Sequence, residues 1–211
     1  MANRRGAATE IGPGGSDDET DGRIVRRERN RDAIIDAIMV LIHAGEVSPS
    51  MAEIAQLADV SERSIFRHFD TREALLGAVI DRQMEVVASL LREIPSTGAL
   101  AARTEMIVAE RARLYEEITP MRRAAVRMAS GSELVAGQLS EAQDWLREEL
   151  EEVFGRELGR RPYAERRDLV AALGMVTSWE AWDLLRTVEG CSVMRSRRIL
   201  ERMITRTIGA N

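Results

Sequence analysis

The stretch Ser50-Met51-Ala52-Glu53-Ile54-Ala55-Gln56-Leu57-Ala58-Asp59-Val60-Ser61-Glu62-Arg63-Ser64-Ile65-Phe66-Arg67-His68-Phe69 decides the fold. Ser50 with Glu53 three residues on is a capping box, in which the hydroxyl accepts from the Glu53 N–H and the carboxylate reaches back. The short helix it opens ends near Ala58, Asp59 and Val60 form a tight connection, and Ser61 caps a further helix over residues 62–69. Two capped short helices joined by about three residues are a helix-turn-helix. At about 100° per residue Ile65 and Phe69 share a face, where Ile54, Ala58 and Val60 meet them, and small Ala55 lets the helices approach.

Arg63 and Arg67 fall on the opposite face with Ser64 beside them, turned to solvent or to a ligand. Guanidinium forks match the O6/N7 acceptors of guanine, so Arg63 and Arg67 are the base-reading candidates, and Ser64 suits a base or a phosphate. His68 lies beside this face. Helix starts gather unpaired N–H groups and hydroxyls, which makes Ser50, Thr71 and the adjacent Arg72 phosphate candidates. Solvation of an exposed surface is the plainer account of these arginines, and the helix-turn-helix around them favours nucleic acid.

Upstream, Arg23, Arg26, Arg27, Arg29 and Arg31 face only Glu28 and form a basic arm, with Arg27 and Arg31 placed to lie along a DNA backbone or enter a minor groove. The arm runs into a helix predicted over residues 26–44, with Ile34, Ile35, Ile38, Leu41 and Ile42 at helical spacing and Gly45 as its stop. Residues 1–22, rich in Gly and acidic side chains, read as a disordered tail. Downstream, Asp70 or Thr71 caps a long fourth helix whose stripe runs from Leu75 to Ile94 and ends at Pro95. Further helices are predicted near 99–118, 120–130, 132–158, 164–188 and 192–208, separated by Pro120, Gly131, Pro162 and Gly190.

Composition agrees. The 211 residues are 45% apolar, enough for a core and too many for a chain disordered throughout. Aromatics are only 4% and Ala, Leu, Arg and Glu dominate, which favours an all-α protein. All 30 basic residues are Arg, and with 35 acidic residues the formal charge is −5, so any nucleic-acid reading rests on local clusters. Cys191 is the sole cysteine, which excludes an intrachain disulfide and a Cys-rich metal motif and suits a reducing compartment. No signal core and no run near the roughly 18 apolar residues of a membrane span is evident, so a cytoplasmic protein with no membrane partner is expected.

Ile54-Ala55, Val60-Ser61, Ile65-Phe66-Arg67-His68-Phe69 and Thr71-Arg72-Glu73-Ala74-Leu75-Leu76 resemble the signature of TetR-family transcriptional regulators across residues 31–80. Beyond residue 80 the likeness is one of length and helical pattern. The resemblance implies an N-terminal three-helix helix-turn-helix DNA-binding domain, 23–70, joined by the long fourth helix to a C-terminal helical ligand-binding and dimerisation domain, 71–211. Three residues depart from the family pattern. Asp59 replaces the turn glycine, and Asp tolerates the left-handed region better than most residues. Phe66 replaces a phosphate-contacting tyrosine and keeps only apolar contact with sugar or a thymine methyl. Arg72 replaces a lysine and keeps its charge.

The segment 164–188 is apolar on more than one face, and the last helix offers Leu200, Met203 and Ile204. With Trp182 or Trp179 as anchor and Leu185 nearby they suggest a two-fold four-helix interface of a homodimer, as the resemblance also implies; an intrachain core is the alternative. Met106, Tyr115, Met128, Trp145, Met175 and Trp179 are candidates to line a small-molecule cavity, since Met and aromatic side chains adapt to varied ligands. The expected partners are double-stranded DNA, in the form of a palindromic operator, and a small-molecule effector, with repression relieved by ligand. No cofactor or metal is implied. His43 and His68 are the only histidines, neither stands by a nucleophile, and no Gly-rich phosphate loop or HExxH motif occurs, so an all-helical enzyme is remote. The alternative function is a helical ligand-binding or nucleoid-type protein that binds DNA without regard to sequence.

Overall fold

In the structure, a computed structural model, residues 17–209 are described, with side chains from Ile24 onward. The helices are α1 (Asp17–His43), α2 (Met51–Leu57), α3 (Glu62–His68), α4 (Arg72–Leu90), α5 (Leu100–Met128), α6 (Glu133–Val153), α7 (Gly155–Leu158), α8 (Tyr163–Val176), α9 (Trp179–Asp183) and α10 (Val193–Gly209). No strand occurs among the described residues.

Two apolar cores organise them. In the first, Ile34, Ile35 and Ile38 of α1 meet Ile54 of α2, Ile65 and Phe69 at α3, and Leu75 and Val79 of α4. The second gathers Ile107 and Tyr115 of α5, Leu150 of α6, Leu173 of α8, Trp182 of α9, and Leu200 and Ile204 of α10. Removing one such side chain from water contributes roughly 1.5–3 kcal/mol. α4 serves both cores, with Leu75, Ala78 and Val79 in the first and Val87 and Leu90 against the second.

α5 also serves both, and here the structure departs from expectation. Pro120 removes an N–H and costs a helix interior about 3 kcal/mol, which predicts two helices broken at that point. One helix runs through it instead. Leu114 and Tyr115 anchor it in the second core before the proline, Met121 and Ala124 anchor it in the first core after it, and the Thr119 hydroxyl donates to the Tyr115 carbonyl. Packing on both sides overrides the local preference.

Other boundaries shift for local reasons. α1 begins at Asp17 rather than 26, so residues 17–22 of the expected disordered tail are helical; residues 1–16 of that expectation lie outside the described residues. α4 stops at Leu90, where Leu91 turns extended and Arg113 donates to the Leu90 carbonyl, freeing Ile94 to enter the second core. The helix predicted over 164–188 breaks at Thr177, because the Ser178 hydroxyl accepts the Ala181 N–H at 3.1 Å and starts α9, which continues as a π-helical turn over Leu184–Val188. The one predicted over 132–158 ends at Val153 and resumes as α7.

Candidate nucleic-acid interface and internal cavity

Local chemistry fixes α3. The Ser50 hydroxyl accepts the Glu53 N–H at 3.2 Å and the Glu53 carboxylate accepts the Ser50 N–H at 2.8 Å, closing the capping box and holding the Glu53 carboxyl below its ordinary range. Asp59 has φ 53°, the one non-glycine residue with positive φ among the described residues, and turns the chain toward Ser61. The Ser61 hydroxyl accepts from the Ser64 N–H and lies 3.0 Å from the Ser64 hydroxyl. Thr71 starts α4 by accepting the Ala74 N–H at 3.0 Å.

With Ile65 and Phe69 buried below, α3 turns Arg63, Phe66 and Arg67 outward. Phe66, 61% exposed, is the one large apolar side chain of α3 turned to solvent. Arg63, Arg67 and Arg72 are exposed and form no ion pair with a described carboxylate. Ser64 is half-buried beside them, and Ser50 and Thr71 are exposed at their helix starts. From α1, Arg27 and Arg31 are exposed on the same side, and the Arg31 guanidinium stands 5.2 Å from the centre of the Phe69 ring. Eight arginine and hydroxyl positions picked out by the sequence, five and three respectively, therefore stay exposed or half-buried on the elements around α3.

His68 does not join them. Both its ring nitrogens are buried without a protein partner, which takes the imidazole off the outward face. Burial, then the nearby Arg67, Arg27 and Arg31, push its pKa below the usual 6.5. The folded chain thus favours the neutral ring, and the unfolded chain takes up the extra proton as pH falls through about 6.5. Stability contributed by His68 is complete above that pH and is lost below it. Melting temperatures at pH 7.5 and 5.5 are expected to differ less in His68→Leu than in the parent; equal differences would remove His68 from the account.

A cavity of about 600 Å³ opens between α4, α5, α6, α8 and α9. Four of the six residues singled out for a ligand, Tyr115, Trp145, Met175 and Trp179, line it. Met106 and Met128 do not: Met106 packs against the second core, and Met128 sits at the end of α5 beyond the cavity. The sequence reading missed Arg122 of α5, the α4 side chains Met84 and Val87, and Leu91 just past the end of α4. An arginine on the stripe of Tyr115 and Ile118 was the available signal for the first. Inside, the Tyr115 hydroxyl donates to the Thr177 carbonyl at 2.7 Å, and the Trp179 indole N–H donates to the Thr119 hydroxyl at 3.0 Å.

The residues expected at a dimer contact are mostly spent inside the chain. Trp182 is 1% exposed and donates to Glu116 at 2.9 Å, and Leu200 and Ile204 are buried against α5 and α8. A second copy cannot reach them, so as interface residues all three are corrected to intrachain core. Leu185 is half-buried, and Met203 stays exposed alongside Leu184, Val188 and Met194.

No cluster of His, Cys, Asp or Glu suited to a metal ion, and no helix long and apolar enough to cross a membrane, is present among the described residues. Residues 34–79, from the middle of α1 into α4, match the family model described as bacterial regulatory proteins, tetR family. Comparison with curated proteins finds no match.

Proposed function

Since the chain belongs, by the domain spanning residues 34–79, to the TetR family of DNA-binding transcriptional regulators, we propose that it is a repressor that binds a palindromic operator as a homodimer and is released by a small molecule. In this reading residues 23–70 are the reader and 71–211 the sensor. Arg63 and Arg67 contact bases, Ser64 and Phe66 support them, and Ser50, Thr71, Arg72, Arg27 and Arg31 hold phosphates.

The observation that carries the proposal is the course of α4. Its first turn stands beside α3, its middle is tied to α1, and its last turns line the cavity. Arg82 makes the tie, donating to Asp36 at 2.7 Å and to Asp32 at 3.0 Å, both on α1. Met84, Val87 and Leu91 follow on the cavity wall. A ligand pressing on that wall moves α4, and α4 carries α1 and the reader with it. Release requires that the ligand bind the displaced state more tightly, since equal affinity for both states shifts nothing.

Dimerisation through the exposed Leu184 and Val188, with Met203 and Leu185 contributing, sets the two α3 helices one DNA turn of about 34–36 Å, or a multiple, apart. Selection of bound fragments from genomic DNA is the test. The expected outcome is a two-fold symmetric site held at least about 10³-fold more tightly than random DNA. Uniform binding would favour the nucleoid-type reading. The double change Leu184→Glu with Val188→Glu is expected to yield monomers whose operator affinity falls roughly 10²-fold or more as the second contact is lost; an intact dimer in sedimentation would clear those residues.

A further inference from the structure

We infer that the cavity takes an apolar molecule with a single carboxylate, and that Arg122 receives the head group; the inference rests on reading the cavity as the effector site. The walls are largely hydrocarbon and indole, with Met84, Val87 and Leu91 on one side and Trp145 and Met175 on another. Among the ionised side chains there, Arg122 is the one drawn inward. Its side chain is 11% exposed, against 52% for its neighbour Glu180, and Glu141 and Arg147 stand exposed at the rim.

Arg122 is held in place yet incompletely matched. Its guanidinium carbon stands 5.8 Å from the centre of the Trp179 ring, and Trp179 is itself fixed through Thr119. Its Nε is buried with no protein partner. One terminal nitrogen meets Glu180 at 3.3 Å, longer than the roughly 2.7–2.9 Å of a full charge-assisted bond. A planar donor fork with a loose, half-solvated partner, at the edge of an apolar space, matches a carboxylate by shape and charge. A cationic ligand would instead face the buried guanidinium and find its only carboxylates out in water.

The test uses decanoate, decanol and decylammonium, followed by the tryptophan fluorescence of the full chain, in which two of the three indoles, Trp145 and Trp179, line the cavity. Decanoate is expected to bind most tightly. Arg122→Met is expected to weaken decanoate about 10- to 100-fold and to leave decanol nearly unchanged. Glu180→Gln is expected to tighten decanoate several-fold by freeing the guanidinium, a gain that a purely structural Arg122 would not produce. Stronger binding of decylammonium, an unchanged decanoate affinity in Arg122→Met, or no binding of any of the three would overturn the assignment. Decanoate that binds as described and leaves operator affinity unaltered would support the head-group assignment and reject the effector reading instead.

Discussion

Replacing both Arg63 and Arg67 with alanine is expected to lower operator affinity roughly 10²- to 10⁴-fold while leaving binding to random DNA far less affected. Each bidentate contact to a guanine discriminates by about 1–3 kcal/mol, and 1.4 kcal/mol is a factor of ten. The loss should be confined to particular base positions, so each single variant should tolerate substitutions in the operator that the parent rejects. Arg72→Ala, at the start of α4, serves as the contrast. It is expected to weaken all sites alike and to reduce the salt slope by about one unit, the mark of a lost phosphate contact. The geometry behind the difference is simple: Arg63 and Arg67 project from a helix seated by Ile65 and Phe69, whereas Arg72 flanks it. Binding profiles with unchanged base preference in both α3 variants would contradict the assignment.

The second large effect concerns folding. Arg103 is 1% exposed at the start of α5, where it meets Glu157 at 2.6 Å and donates to the Val153 carbonyl, with the Phe154 ring 5.8 Å away. Hydrogen bonding to Arg103 holds the Glu157 carboxyl below its ordinary range. One side chain thus joins α5 to the α6–α7 junction, and removing it strands a carboxylate and a buried carbonyl. Arg103→Met is expected to cost about 3 kcal/mol, or roughly 6–12 °C in melting temperature. Adding Glu157→Leu should recover much of that loss, since removing both partners of a buried pair is far cheaper than removing one. A single variant that melts with the parent would show that the pair contributes nothing.

Ease of reading varied along the chain for physical reasons. The helix-turn-helix was legible because each of its signals acts within a few residues: Ser50 on Glu53, Ser61 on Ser64, Thr71 on Ala74, and Asp59 at the turn. The C-terminal half was less so, because apolar periodicity announces burial without naming the partner. By pattern alone Trp182, Leu200 and Ile204 suit a second copy or an intrachain core; Trp182 of α9 joins the second core, and α10 packs on α5 and α8 of the same chain. Pro120 misled for a related reason, since its local cost is outweighed by contacts distant in sequence. Arg122 gave little signal in a chain with 30 basic residues, all arginine, and its setting is assembled from Thr119 together with Trp179 and Glu180 some sixty residues away. The match over residues 34–79 ends before every residue of the cavity, which leaves the cavity to be read from its own side chains.

Met121 and Ala124 close the first core from α5, a helix that begins and is mostly anchored in the second. The reader is therefore not a detachable module. A fragment cut after α4 would keep every signature residue and lose the floor on which α1 and α4 rest, so transplanting this helix-turn-helix onto another protein calls for carrying the far end of α5 along with it.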